Sequence, residues 1–207
     1  MLEFFDEIKD FLFDNRRVEG YKHFARTQGF DFKKKVSPDV LPSELKKMDY
    51  FNGKKKLLIK GFIYKSIEPH PVNLHIYDLV NRREIGSKTT TSFLYYCPEL
   101  KLPQFSIKPR GGISKIGSIF TGTEWAEYHP EFDKEFIVSS KNMNYLRMAM
   151  TTQFTDVMLN IKNYIVEGLG NYMLIYRPNH ITDIIHMDNV YEAGLELIDI
   201  ILTDYSK

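Results

Sequence analysis

The sequence predicts an α+β fold, a mainly antiparallel sheet packed against helices, with amphipathic helices at both ends. Three observations carry this. Leu2, Phe5, Ile8, Phe11 and Leu12 recur at helical spacing near the start, and Leu197, Ile198 and Ile201 do so near the end. Between them, Leu57–Tyr64, Val72–Leu79 and Thr89–Cys97 are strand-length runs rich in β-branched and aromatic residues. The breaks between these runs, Glu68–Pro71 and Asn81–Ser87, read as hairpin connections, so the strands should pair antiparallel.

Taken in order, the first helix is expected over Leu2–Asn15 and a second over Glu19–Gln28. The second should end at Gly29, where a left-handed residue costs glycine little. Phe30 to Gly53 carries charged clusters, Pro38 and Pro42, and reads as a lead-in loop with a helical turn at Ser43–Met48 capped by Ser43. After the three long strands, Phe105 and Ile107 suggest a short one between Pro103 and Pro109. An edge position is expected for it, because proline cannot complete a ladder. Ile113–Phe120 has a short helical pattern and Phe136–Ser139 reads as a strand. Asn142 is placed to cap a helical region whose Met143, Leu146, Met150, Phe154, Val157 and Met158 share a broad face, with Thr151 and Thr152 dividing it. Ile165–Glu167 and Tyr172–Tyr176 flank a turn at Gly168–Asn171, and Val190–Tyr205 is the last helix. With no repeat and no long linker, one domain is expected: a helical lead-in over 1–50, an α+β core over 51–177 and a C-terminal helix over 189–206.

Composition bounds the function. The chain has 207 residues, 43% hydrophobic and 27% charged, which suits a buried core. Net charge is +1, but residues 1–65 hold 15 Lys/Arg against 10 Asp/Glu, and the remainder 13 against 17. The basic excess sits in Lys33–Lys35, Lys46–Lys47 and Lys54–Lys56. It reads first as solubilising loops and, as the alternative, as a surface for membrane headgroups, RNA or an acidic partner. Cys97, the single cysteine, precludes an internal disulfide and reads as a strand hydrophobe. No apolar run approaches the ~20 residues that span a bilayer, and acidic residues follow Met1 where a signal peptide needs basic ones. The cytoplasm is the expected compartment.

Candidate chemistry is sparse. His180, Asp183 and His186 cluster, but six residues separate the imidazoles, which on a helix puts them on opposite faces, so no metal site is assigned. His75 and His129 stand without an evident Ser or Cys partner, and no catalytic residue is assigned. The methionines Met143, Met148, Met150 and Met158 read as core filler. One place retains chemical interest. Lys108, Arg110 and Lys115 surround the turn Gly111–Gly112, just before an expected helix, and could hold a phosphate or carboxylate. No cofactor is implied.

Leu102–Pro109 (LPQFSIKP), Lys115–Gly117, Pro130–Phe136 (PEFDKEF), Val166–Gly168 and Leu174–Arg177 together resemble a group of uncharacterised bacterial proteins. Their pattern is LPxFx[LI][RK]P followed by PEFx[KR]x[FY], and some members carry membrane-spanning helices ahead of the domain. Arg110 departs from the acidic residue expected after the Lys–Pro pair. The resemblance implies no activity; it implies that Pro103, Phe105, Pro109 and Pro130–Phe136 belong to one structural unit.

The reading favoured by these residues is a non-catalytic binding or interaction domain, beside a membrane or in a protein complex. Its partner would be a protein, a second copy of the chain or a membrane surface; the charge balance argues against nucleic acid. The alternatives are an enzyme acting on a small anionic substrate through Lys108, Arg110 and Lys115, and nucleic-acid binding through the basic N-terminal third.

Overall fold

The structure is a computed structural model describing residues 2–54, 56–82, 87–111 and 129–205, with side chains from 15 to 203 within those ranges. It is an α+β fold built on one eight-stranded antiparallel sheet. The strands are β1 (Asp31–Val36), β2 (Leu57–Ile67), β3 (Val72–Arg82), β4 (Ser87–Tyr96), β5 (Leu102–Pro109), β6 (Phe136–Ser140), β7 (Ile165–Gly170) and β8 (Tyr172–Tyr176). Their spatial order is β1-β2-β3-β4-β8-β7-β5-β6.

The two faces of the sheet are covered differently. Alternate residues of β3, Val72, Leu74 and Ile76, point to a core shared with Phe93, Tyr95, Phe105, Ile107, Val166 and Ile175. The helices close that face: α1 (Leu2–Gln28), α2 (Pro130–Glu135), α3 (Met143–Ala149), α4 (Thr152–Asn160) and α5 (Met187–Tyr205). The intervening residues Tyr77 and Leu79, with Ile59, Phe62, Leu94 and Leu174, point the other way. Short 3-10 turns at Ser43–Lys47 and Asp49–Phe51 cover them with Leu45, Met48, Tyr50 and Phe51.

The expected hairpins are present, with Ile63 opposite Ile76 and Phe93 opposite Ile76 on the next strand. Asn142 accepts a hydrogen bond from the Tyr145 N–H at the start of α3, and Thr151 accepts one from Phe154 N–H at the start of α4. At the end of α1, Gly29 adopts φ +70° and the Phe30 N–H donates to Ala25 O at 2.8 Å. Phe30 then packs on Phe24, 5.8 Å between centroids, completing a Schellman cap with its apolar contact.

Four expectations are corrected. The two N-terminal helices are one, Leu2–Gln28, because no glycine or proline lies between Asn15 and Glu19. The lead-in contains β1, whose Lys33–Lys35 hide the strand pattern; among the described residues it is an edge strand paired with β2 alone. The turn at Ser43 starts from Pro42 and has no side-chain cap. Finally, β5 is an interior strand between β7 and β6. Proline is tolerated there because the register with β7 shifts between Leu102 and Phe105, around Pro103, and Pro109 ends the strand. The helical pattern expected at Ile113–Phe120 lies outside the described residues.

Candidate functional site

The sheet is incomplete at one end, and the polar chemistry gathers there. Strand β4 runs from Ser87, whereas its neighbour β8 stops at Tyr176 opposite Ser92. Among the described residues Thr89–Thr91 therefore have no strand partner on that side. The loop after β8 supplies one: Thr91 N–H donates to His180 O at 3.0 Å, and the Asn179 and Thr182 N–H groups donate to the Thr90 and Thr91 hydroxyls. Asn179 makes the turn with φ +54°, a left-handed value that asparagine tolerates better than most residues. Lys88 and Asn179 line clefts on both sides of this open end.

The larger cleft, about 490 Å³, lies between α1 and the helical face of the sheet. Its floor is the buried Asp78. The Arg17 guanidinium grips this carboxylate from α1, Nε to Oδ2 at 2.9 Å and Nη2 to Oδ1 at 3.1 Å. Tyr21 and Thr91 hydroxyls also donate to Oδ1, at 2.9 and 2.7 Å. Burial, and then the Asp78 charge, push the Tyr21 phenol well above its usual range. Tyr21 needs room to reach Asp78, and Gly61 provides it: φ is +58° and a side chain there would collide with the Tyr21 ring. Lys60, Lys88 and His180 line the rest of this cleft. Burial, reinforced by Arg177, lowers the His180 pKa.

The smaller cleft, about 280 Å³, lies on the opposite face beneath the 3-10 turn Asp49–Phe51. Here Lys108 Nζ meets Asp49 Oδ2 at 2.7 Å, both side chains being largely buried. Behind them Glu167 accepts from the Tyr176 hydroxyl at 2.5 Å and from the Tyr50 N–H at 3.4 Å. Burial raises the Glu167 pKa, and the Asp49 charge adds to that; the Tyr176 hydrogen bond works against it. Asp49 Oδ1 is buried and has no hydrogen-bond partner among the described residues.

No family model matches the chain, and no curated protein does. Among solved structures it is similar to the crystal structure of the mycobacterial trehalose monomycolate transport factor A, TtfA. The identity is 13% and the TM-score 0.64, over 89% of this chain and 93% of that one. At that identity the likeness is one of fold.

The anion-site residues read from the sequence are distributed as follows. Lys108 ends on Asp49 in the smaller cleft. Arg110 follows β5, where its Nε donates to Asp133 O at 2.6 Å. A β-carbon at Gly111 would meet nothing among the described residues, and Gly112 and Lys115 lie outside them. His75 is stacked against Phe62 at 5.3 Å, and burial lowers its pKa. Met143, Met150 and Met158 are buried, whereas Met148 is 68% exposed. Among the described residues no group of His, Cys, Asp or Glu is placed to hold a metal ion, and no helix is long and apolar enough to cross a membrane.

Sequence reasoning missed Asp49, Asp78, Arg17 and Glu167. The available signal was a charged residue within an otherwise apolar strand, Asp78 in Tyr77–Val80 and Glu167 in Ile165–Leu169. A charge in such a run is buried and must be paired.

Proposed function

We propose that the chain is a non-catalytic binding domain that receives its ligand or partner at the open end of the sheet, beside a membrane or within a protein complex. The observation that supports it is the saturation of Asp78. Arg17, Tyr21 and Thr91 all donate to this carboxylate, which leaves it positioning a helix rather than moving a proton. Around it, Lys60 and Lys88 give the larger cleft a cationic rim suited to acceptor-rich groups, with the His180 imidazole beside them. That a transport factor is built on a similar fold is in keeping with a carrier or docking role.

The test is photo-crosslinking from Lys88 in cells, with exposed Lys162 as the control position, together with flotation on phosphatidylcholine vesicles with and without phosphatidylglycerol. The reading expects a defined adduct from position 88 alone, or flotation weakened by Lys88→Glu. Neither adduct nor flotation would sink it.

A further inference from the structure

We infer that the smaller cleft is an anion subsite whose Lys54 and Lys88 take a phosphate monoester group. The inference rests on the binding reading above and names the ligand class of one of its two clefts.

The cleft collects cations from three separate stretches of chain. Lys54 comes from the turn after Asp49–Phe51, Lys88 from the start of β4 and Lys108 from the end of β5. Lys88 lies opposite Asn81, two residues on from the core residue Leu79. The strand period therefore puts its side chain on the smaller cleft's side of the sheet. Among the described lining residues these three lysines stand against one carboxylate, Asp49, an excess of two positive charges. Counting Glu167, which lies behind the lining, still leaves an excess of one. Leu79, Ile165 and Tyr176 supply low-dielectric walls, so the excess acts strongly on what enters.

Two of the three cations are held in place before any ligand arrives. Lys108 Nζ is fixed by Asp49 at 2.7 Å. Gly53 adopts φ +69°, the Lys54 N–H returns to Phe51 O at 3.3 Å, and Lys54 Nζ stands 3.4 Å from the centre of the Tyr50 ring. That ring is itself pinned by the Ser92 hydroxyl and by Tyr176, 4.2 Å away between centroids. Lys88 is exposed, and its ammonium has no hydrogen bond or ion pair among the described residues. A ligand thus meets one preplaced ammonium and one still to be engaged, and ordering costs little at the first. A phosphate monoester carries about −1.5 to −2 charges at neutral pH and three acceptor oxygens, which matches the excess of two and serves both lysines and the Asn81 amide. A carboxylate brings one charge and two oxygens. The volume of about 280 Å³ is at the small end of ligand sites and suits a phosphate on a short organic group.

The experiment is a phosphorus NMR titration of glycerol 3-phosphate with the full chain, with acetate as competitor, beside flotation on phosphatidylcholine vesicles carrying phosphatidic acid or phosphatidylglycerol. Lysine-dependent broadening of the glycerol 3-phosphate signal without flotation assigns a soluble phosphate. Lysine-dependent flotation on phosphatidic acid in preference to phosphatidylglycerol assigns a lipid headgroup. In either arm Lys54→Ala and Lys88→Ala should each weaken binding several-fold and together about tenfold or more, and Lys162→Ala should change nothing. Lys88→Ala, at an exposed position, should keep the melting temperature, so its effect reads binding rather than folding. The inference is overturned if neither phosphate probe binds, if binding ignores both lysines, or if acetate competes on equal terms. Crosslinking from Lys88, or equal flotation on the two anionic lipids, without glycerol 3-phosphate binding sinks this inference and spares the broader reading. Lysine-dependent glycerol 3-phosphate binding with neither adduct nor flotation does the reverse.

Discussion

Arg17 and Asp78 are 61 residues apart in the chain and joined by two parallel hydrogen bonds at 2.9 and 3.1 Å, which pin the first helix across the sheet at its open end. The side chains are 11% and 5% exposed, so each charge depends on the other for its solvation. Removing one partner leaves a buried charge uncompensated. Asp78→Ala or Arg17→Ala should therefore cost about 3–5 kcal/mol. The double variant Arg17→Met/Asp78→Leu should be less destabilised than either single one. Urea unfolding of the four proteins checks this, and additive costs would refute the coupling.

Gly194 makes a prediction of unusual sign. Glycine to alanine inside a helix ordinarily gains about 1 kcal/mol. In α5, however, a β-carbon at position 194 would collide with the Tyr95 hydroxyl, which donates to Tyr191 O at 3.0 Å. Gly194→Ala should destabilise by about 1–3 kcal/mol through overpacking, and pairing it with Tyr95→Leu, which removes the far ring carbons as well as the hydroxyl that a β-carbon would strike, should give a combined loss smaller than the sum of the two single losses. Thermal melts of the three variants decide it.

Glu167 gives stability a pH dependence. Its folded pKa lies above the ordinary 4.5, so the native state holds a proton that the unfolded chain releases. The contribution is fully present below the unfolded value and is lost as pH rises through the folded one. Glu167→Gln removes the titrating group, and the fall in urea midpoint on raising pH above 4.5 should become shallower. An unchanged slope would assign the dependence to other groups.

The edge strand makes a prediction about self-association. Lys33, Lys34 and Lys35 are exposed on β1, whose outer flank has no strand partner among the described residues. Lysines there keep a second sheet from adding on. Replacing all three with threonine should retain the fold and produce concentration-dependent oligomers by light scattering; a variant that stays monomeric would argue that β1 is protected in some other way.

The lysine run also shows where sequence reading reached its limit. The strands that are half or fully buried announce themselves through Val, Ile, Tyr and Phe at period two, and β2, β3 and β4 were legible for that reason. Strand β1 lies at an edge, buries only part of Phe32 and Val36, and carries charge for a negative purpose, so periodicity failed. Pro103 misled in the opposite direction, because a bulge in the β5–β7 ladder accommodates a proline that pattern alone assigns to an edge.

By itself the sequence determined the α+β class, the antiparallel pairing of the long strands, the cap at Asn142, the division of the following helical region at Thr151–Thr152 and the helix end at Gly29. Each is a local matter, fixed by side-chain period or by a backbone group seeking a nearby partner. The tertiary structure alone decided the strand order and the polar site. Asp49 meets Lys108 across 59 residues, and Tyr50 N–H meets Glu167 across 117. Such pairs carry no local signature, because a buried charge is tolerable only beside a partner that the rest of the fold delivers.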